Sequence, residues 1–428
     1  MLTCLEKSVQ LTCAGISRRQ CLKLGALGLG GLTLPDLLRA RAAAGQPASR
    51  KSVIMICQFG GPSHLDTYDP KPDAPADIRG EFKSIQTRVP ELRICDLMPK
   101  QVAIADKFTI LKKLQMTGQD HYLPSEIMTG YLFNHISGKG VLRPAFGSVV
   151  SRTRGSGNLP AYVSLRGGEH EDPQYLGNAH EPFVPKGMGL QNLALSKEVS
   201  LERFGVRREL LKTFDTLRRD VEVRGQLEGM DAFTAQAFDL VTSGQARDAF
   251  DLAKEPEPVR QKYGKATQYL MARRLAEAGV PVITLDADSG GWDTHTDNFS
   301  KLRTMLPRVD HGLSTLITDL FERGLERDVL VVMWGEFGRS PKVSSDAGRD
   351  HWPEANYALF SGGGMPMGQV IGATDARGGR PTSRPYGPQN VLATIYRFLG
   401  VDPSMTFPDH SGRPVHLLDD REPIQELS

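Results

Sequence analysis

Two apolar runs separated by one amphipathic segment constrain this chain most: GVPVITLDA at 279–287 and RDVLVVMWGEFG at 327–338. Neither run alternates with polar residues, so each suits a strand covered on both faces. Between them, Leu313, Leu316, Ile317, Leu320 and Leu325 share one helical face, and Gly324 stands near the helix end. Strand, helix and strand in this order predict a parallel sheet.

A third run, residues 53–59, is equally apolar and is stopped by Gly60, Gly61 and Pro62. NLPAYVSLRG adds a further strand, and GPQNVLATIYRFLGV (387–401) reads as a C-terminal helix. Residues 196–258 carry charge without concentrated motifs and read as a helical insertion or lid. No internal repeat or low-complexity linker divides the rest, so one α/β domain over 45–428 is expected.

The first 44 residues read as a leader. Arg18 and Arg19 precede a short glycine-rich apolar run and then ARAAAG, where cleavage after an A-x-A pattern fits. The pattern resembles a twin-arginine export leader, with Cys21 where phenylalanine is usual. It implies engagement of the twin-arginine export machinery and a periplasmic or secreted product. A retained membrane anchor is the alternative, although the run is short for one. Elsewhere no stretch reaches 18 uninterrupted apolar residues, so a mature domain that spans the membrane is not expected.

Removing the leader leaves 46 basic and 48 acidic residues, a near-neutral balance with no basic footprint for nucleic acid. It also leaves two cysteines, Cys57 and Cys95. Cys57 falls inside an apolar strand and is expected as a buried thiol.

The chemistry is expected at the carboxyl ends of the strands, where ligands bind in open α/β sheets. The first strand runs into Ser63, His64 and Asp66; the second into Asp288, Asp293 and His295; the third into Glu336, with Asp350 and His351 beyond it. In GWDTH (291–295), a carboxylate and an imidazole two residues apart meet one ion if the backbone is extended, and otherwise form a polar turn. Mixed imidazole and carboxylate donors suit a divalent ion such as Zn, Mn, Ca or Mg. Asp310, His311 and Gly312 look like a metal motif but belong to the amphipathic helix. His170 and His180 lie in loop sequence that lines a cleft or faces solvent.

GGPSHLDTYDPKP, GWDTH, GEFGRSP, GRDHWP and DHSGRPVHLL occur in this order over 50–425. With the leader, they resemble domain-of-unknown-function family 1501, placed in the alkaline phosphatase and sulfatase superfamily. The resemblance implies a three-layer sandwich with a mainly parallel central sheet flanked by helices, and a metal-dependent hydrolase of phosphate or sulfate esters. Asp293 and His295 match the superfamily's Asp and His ligands, His351 the late histidine, and Glu336 the aspartate of an Asp-His-Gly turn; Asp350 joins this metal set. Phe337 replaces the histidine of that turn, and no cysteine stands in C-x-P-S-R, so a formylglycine sulfatase is not expected. Ser63, Thr67, His121 and Ser125 are the nucleophiles considered, with His64 and Asp66 as ligand or acid-base groups. Arg339 and Arg349 are expected either to pair with an oxyanion or to form salt bridges. The rival reading is a non-catalytic binding or assembly protein on the same fold. A small-molecule or polysaccharide ester is the substrate class of the first reading.

Overall fold

The computed structural model describes residues 51–119, 125–134, 138–155, 159–185, 244–288 and 291–428. The expected leader, His121 and most of the expected insertion lie outside the described residues. Within them, the second part of 196–258 forms short helices at Gly244–Phe250 and Glu257–Tyr263.

Seven strands make the central sheet: β1 (Ser52–Cys57), β2 (Thr109–Leu114), β3 (Tyr162–Ser164), β4 (Val282–Asp286), β5 (Val329–Trp334), β6 (Asn356–Gly362) and β7 (Val370–Ile371). Their spatial order is β7-β2-β6-β5-β1-β4-β3. The strand, helix, strand unit read from the sequence is β4, the helix Asn298–Glu322 and β5, and both of its strands pair with β1 in parallel. Only β6 runs against the others, antiparallel to both β5 and β2.

Alternation along the strands separates two cores. Ile54, Ile56, Ile283, Leu285, Val331 and Met333 pack on one face with Leu313, Leu316 and Ile317. Val53, Met55, Val282, Leu330 and Val332 pack on the other, with Val149, Val391 and Ile395. Helices Thr267–Glu277 and Asn298–Glu322 therefore cover one face, and helices Phe146–Arg154 and Pro388–Leu399 the other. This is the expected three-layer, mainly parallel α/β architecture. It explains why the strand sequences are apolar throughout: each strand needs apolar residues on both faces.

The Asp310–His311 pair sits in the long helix, as read. Asp310 accepts from the backbone N–H groups of Lys100 and Gln101 at 3.0 and 2.8 Å. It thereby satisfies orphan donors at the start of the helix Pro99–Ala103. Cys57 is a buried free thiol. Among the described residues, no helix is long and apolar enough to cross a membrane.

Candidate metal centre

After β4, Gly291–Thr294 form no regular structure and the chain bends at His295. Trp292 and Thr294 are 1% exposed, whereas the side chains of Asp293 and His295 are 47% and 43% exposed. Burial alternates with the two-residue period of an extended chain, so Asp293 and His295 lie on the same, open side. Trp292 and Thr294 anchor the segment from beneath, and Thr294 O accepts from the Arg349 N–H at 3.0 Å.

His351 reaches the same place from the other side of a two-residue antiparallel pair, in which Gly338–Arg339 faces His351–Trp352. Ligand atoms of Asp293, His295 and His351 all lie within 4.8 Å of one another. Asp293 Oδ1 is 3.3 Å from His295 Nε2 and 3.7 Å from His351 Nε2.

The far side of each imidazole decides what the near side offers. His295 Nδ1–H donates to Asp350 Oδ1 at 2.9 Å, and His351 Nδ1–H donates to the Gln119 carbonyl at 2.6 Å. Both rings then carry a lone pair on Nε2 when neutral, and those two atoms are 2.9 Å apart. Two facing lone pairs repel unless a proton or a metal ion lies between them. A divalent ion would fit this donor set: two imidazoles and one carboxylate, with outer acceptors that fix both tautomers. Asp350, expected as a ligand, instead has one carboxylate oxygen on the outer nitrogen of His295.

Arg339 supports the carboxylate. It is fully buried, and its Nη2 donates to Asp293 Oδ1 at 2.8 Å. Its remaining donors go to backbone carbonyls, including Gly61 O at 2.9 Å, Arg349 O at 3.0 Å and Gly60 O. Glu336 is also buried, and its Oε1 accepts from the Gly60 N–H at 2.6 Å. It lies behind the Gly60–Gly61 turn and outside the cluster of Asp293, His295 and His351.

The first-strand motif forms a second network. Asp66 takes a bidentate contact from Arg349, Nε to Oδ2 at 2.7 Å and Nη2 to Oδ1 at 3.1 Å, and both side chains are fully buried. Ser63 Oγ–H donates to Asp66 Oδ2 at 2.6 Å, and Asn298 Nδ2 donates to the same oxygen at 3.0 Å. The other Arg349 donors end on Ile78 O, Ser340 O and Pro341 O. His64 is buried, with Nε2–H donating to Gly378 O at 2.7 Å, and burial pushes its pKa below the usual histidine value. Ser63, Asp66 and Arg349 thus meet in the packed interior, where His64 is buried as well, and Arg339 and Arg349 have their guanidinium donors turned inside the protein. Thr67 Oγ1–H is likewise turned to Ser63 O at 2.7 Å.

Sequence reasoning missed Gln119, which acts through its backbone carbonyl and leaves no side-chain signature. It also missed Gly348: a Cβ there would come within 1.7 Å of His295 O, so only glycine lets the two loops close. The adjacent AGRDH text carries that signal, because a glycine just before a functional pair often marks a close backbone approach.

A family model described as a protein of unknown function, DUF1501, matches residues 50–428. No curated protein sequence matches. Among solved structures, a sulfatase from Pseudoalteromonas sp. is 12% identical with a TM-score of 0.38, covering 85% of this chain and 70% of its own. The phosphonate monoester hydrolase of Silicibacter pomeroyi is 12% identical with a TM-score of 0.34, covering 83% and 74%. The lipoteichoic acid synthase of Listeria monocytogenes is 10% identical with a TM-score of 0.34, covering 83% and 73%.

Proposed function

We propose, starting from the fact that the chain belongs to the DUF1501 family, that it is an exported, metal-dependent hydrolase of phosphate or sulfate esters. Asp293, His295 and His351 would hold the ion. The observation that carries this reading is the 2.9 Å approach of two Nε2 atoms whose rings are both tied back through Nδ1. Two imidazoles and one carboxylate favour Zn or Mn over Mg or Ca, which take mostly oxygen donors. When bound, such an ion would polarise an ester oxygen and lower the pKa of a water beside it.

The protein's own part is positional. Asp350 and the Gln119 carbonyl hold the protons of both imidazoles on Nδ1. Arg339 fixes Asp293 Oδ1 through a contact that costs no surface donor. The cluster is open to solvent, which suits a large ester substrate such as a polysaccharide as well as a small one. The phosphate or sulfate class follows from the motif resemblance. Ser63 is committed to Asp66 in the interior, which supports a water nucleophile over that serine.

That same commitment favours one alternative, a metal-holding binding protein without a nucleophile of its own. A panel of chromogenic phosphate, phosphodiester and sulfate esters, assayed with added Zn or Mn, separates the two. Hydrolysis lost in both Asp293→Ala and His351→Ala supports the enzyme. Metal uptake without turnover of any ester supports the binding protein, and hydrolysis indifferent to both substitutions removes the proposed site. The leader would bring the folded chain to the twin-arginine machinery and outside the cytoplasm; Arg18→Lys with Arg19→Lys should leave the full chain in the cytoplasmic fraction.

A further inference from the structure

A second charged concavity lies away from the histidines, along β2 and just past the end of β7. A cavity of about 290 Å³ is lined by Asp69, Lys71, Glu91, Arg93 and Lys112 beside Gly372. It shares no residue with Asp293, His295, Asp350 or His351.

The charge arrangement on its floor is unusual. Lys112 projects from β2 with its side chain 8% exposed, and Lys71 is 17% exposed. Both ammonium groups sit 3.1 Å from one atom, Asp69 Oδ1. The other oxygen, Oδ2, accepts from Thr374 Oγ1. Asp69 thus contacts both ammonium groups, each with three N–H donors, and Asp375 lies within electrostatic reach of Lys71 alone. Burying an ammonium is costly unless its charge is met, so this floor calls for a further anion. Arg93 brings a third positive charge, although its donors are held by Ser84 and Gln86, and Glu91 offsets it from an exposed position. The residues that line the cavity carry three positive and two negative charges, with Asp375 beside Lys71 just outside the lining.

We propose that this cavity binds a tetrahedral oxyanion, a phosphate or sulfate group, with Lys71 and Lys112 as its principal donors. Ammonium groups act as point charges that meet the oxygens of a tetrahedral oxyanion from any side, as lysines do at phosphate sites. The volume also leaves room for a small organic group attached to the oxyanion.

The test is calorimetric titration of the chelator-treated full chain with inorganic phosphate at low ionic strength. One saturable site per chain is expected. Lys71→Gln should weaken it about tenfold or more, the scale of one charge-assisted hydrogen bond. Lys112→Met should weaken it at least as much. Lys71 is the safer variant because it lies nearer the surface, and thermal melting confirms that each variant folds. His295→Ala should leave the affinity unchanged. Methyl phosphate binding as well as phosphate does identifies a site for an ester group; binding of phosphate alone identifies a site for the free anion. The absence of saturable binding, binding unaffected by both lysine substitutions, or loss of binding in His295→Ala overturns the proposal. Because the titration is done without metal, it is decided independently of the hydrolase reading.

Discussion

Arg339 and His351 are direct partners across a two-residue antiparallel pair, and their side chains serve the same cluster from opposite ends. Arg339 reaches Asp293, while His351 meets His295. One short backbone pairing thus sets the spacing between a carboxylate and an imidazole that lie 58 positions apart in the sequence.

This coupling gives Asp350 a distinct role, because its carboxylate meets the outer nitrogen of His295 and is 72% exposed. Asp350→Ala should lower metal affinity by about 10- to 100-fold, the usual effect of removing an outer-shell acceptor. The melting temperature of the metal-free protein should stay within about 2 °C, since the residue is at the surface. Metal competition titration and thermal melting together read both outcomes. An unchanged affinity would show that Asp350 does not set the tautomer.

The Asp66–Arg349 pair should behave quite differently. Arg349→Met leaves a buried carboxylate with only Ser63 and Asn298 as partners, and it should cost about 3–5 kcal/mol of stability. Adding Asp66→Asn should recover part of that loss, because the remaining group is then neutral. Denaturant unfolding of both variants checks it. A loss below about 1 kcal/mol for the single variant would contradict the buried-pair description.

Gly348 tests the close approach of the two loops. Gly348→Ala would drive a methyl group into the His295 carbonyl. It should weaken metal binding by about tenfold or more through displacement of the histidine, a larger effect than at Gly387, where an added Cβ would meet only Asn390 Oδ1 at 3.8 Å. Equal metal affinity in both variants would show that the loops accommodate the group freely.

Acid should destabilise the fold through histidines that are held neutral. Burial, with Arg152 nearby, lowers the His180 pKa from 6.5 to about 4, and burial lowers that of His64 as well. Above pH 6.5 both are neutral in the folded and unfolded chains, and their contribution to stability is fully present. Between pH 6.5 and about 4 the unfolded chain binds protons that the folded chain does not, so stability falls with pH. His180→Gln should flatten that slope in unfolding experiments between pH 4 and 6.5. A variant with the parental slope would show that His180 does not contribute.

Cys57 and Cys95 are both buried free thiols, and burial pushes the Cys95 pKa up to about 12. A chain beginning at Gly45 should therefore show no reactive thiol toward an aromatic disulfide reagent at pH 8, and two after denaturation. Rapid labelling of the native protein would contradict their placement.

The sheet was legible because its signal is local: an unbroken apolar strand is dictated by two covering layers, and β1, β4 and β5 all show it. The alternation in GWDTH likewise showed that Asp293 and His295 could face one side, but whether the segment was extended depended on burial of Trp292 and Thr294 by the rest of the fold. The roles of Ser63, His64, Asp66, Arg339 and Arg349 were not legible. Proximity to a strand end does not reveal whether a polar group faces solvent or meets a buried partner, and the Asp66–Arg349 contact spans 283 positions. The carbonyl of Gln119 was invisible because every residue has one.

The most direct measurement is elemental analysis of the purified, chelator-free protein beside its Asp293→Ala and His295→Ala variants, with folding confirmed by thermal melting. The account predicts about one bound divalent ion per chain in the parent and substantially less in both folded variants. No ion in the parent, and none taken up when Zn or Mn is added, would contradict a metal centre at Asp293, His295 and His351.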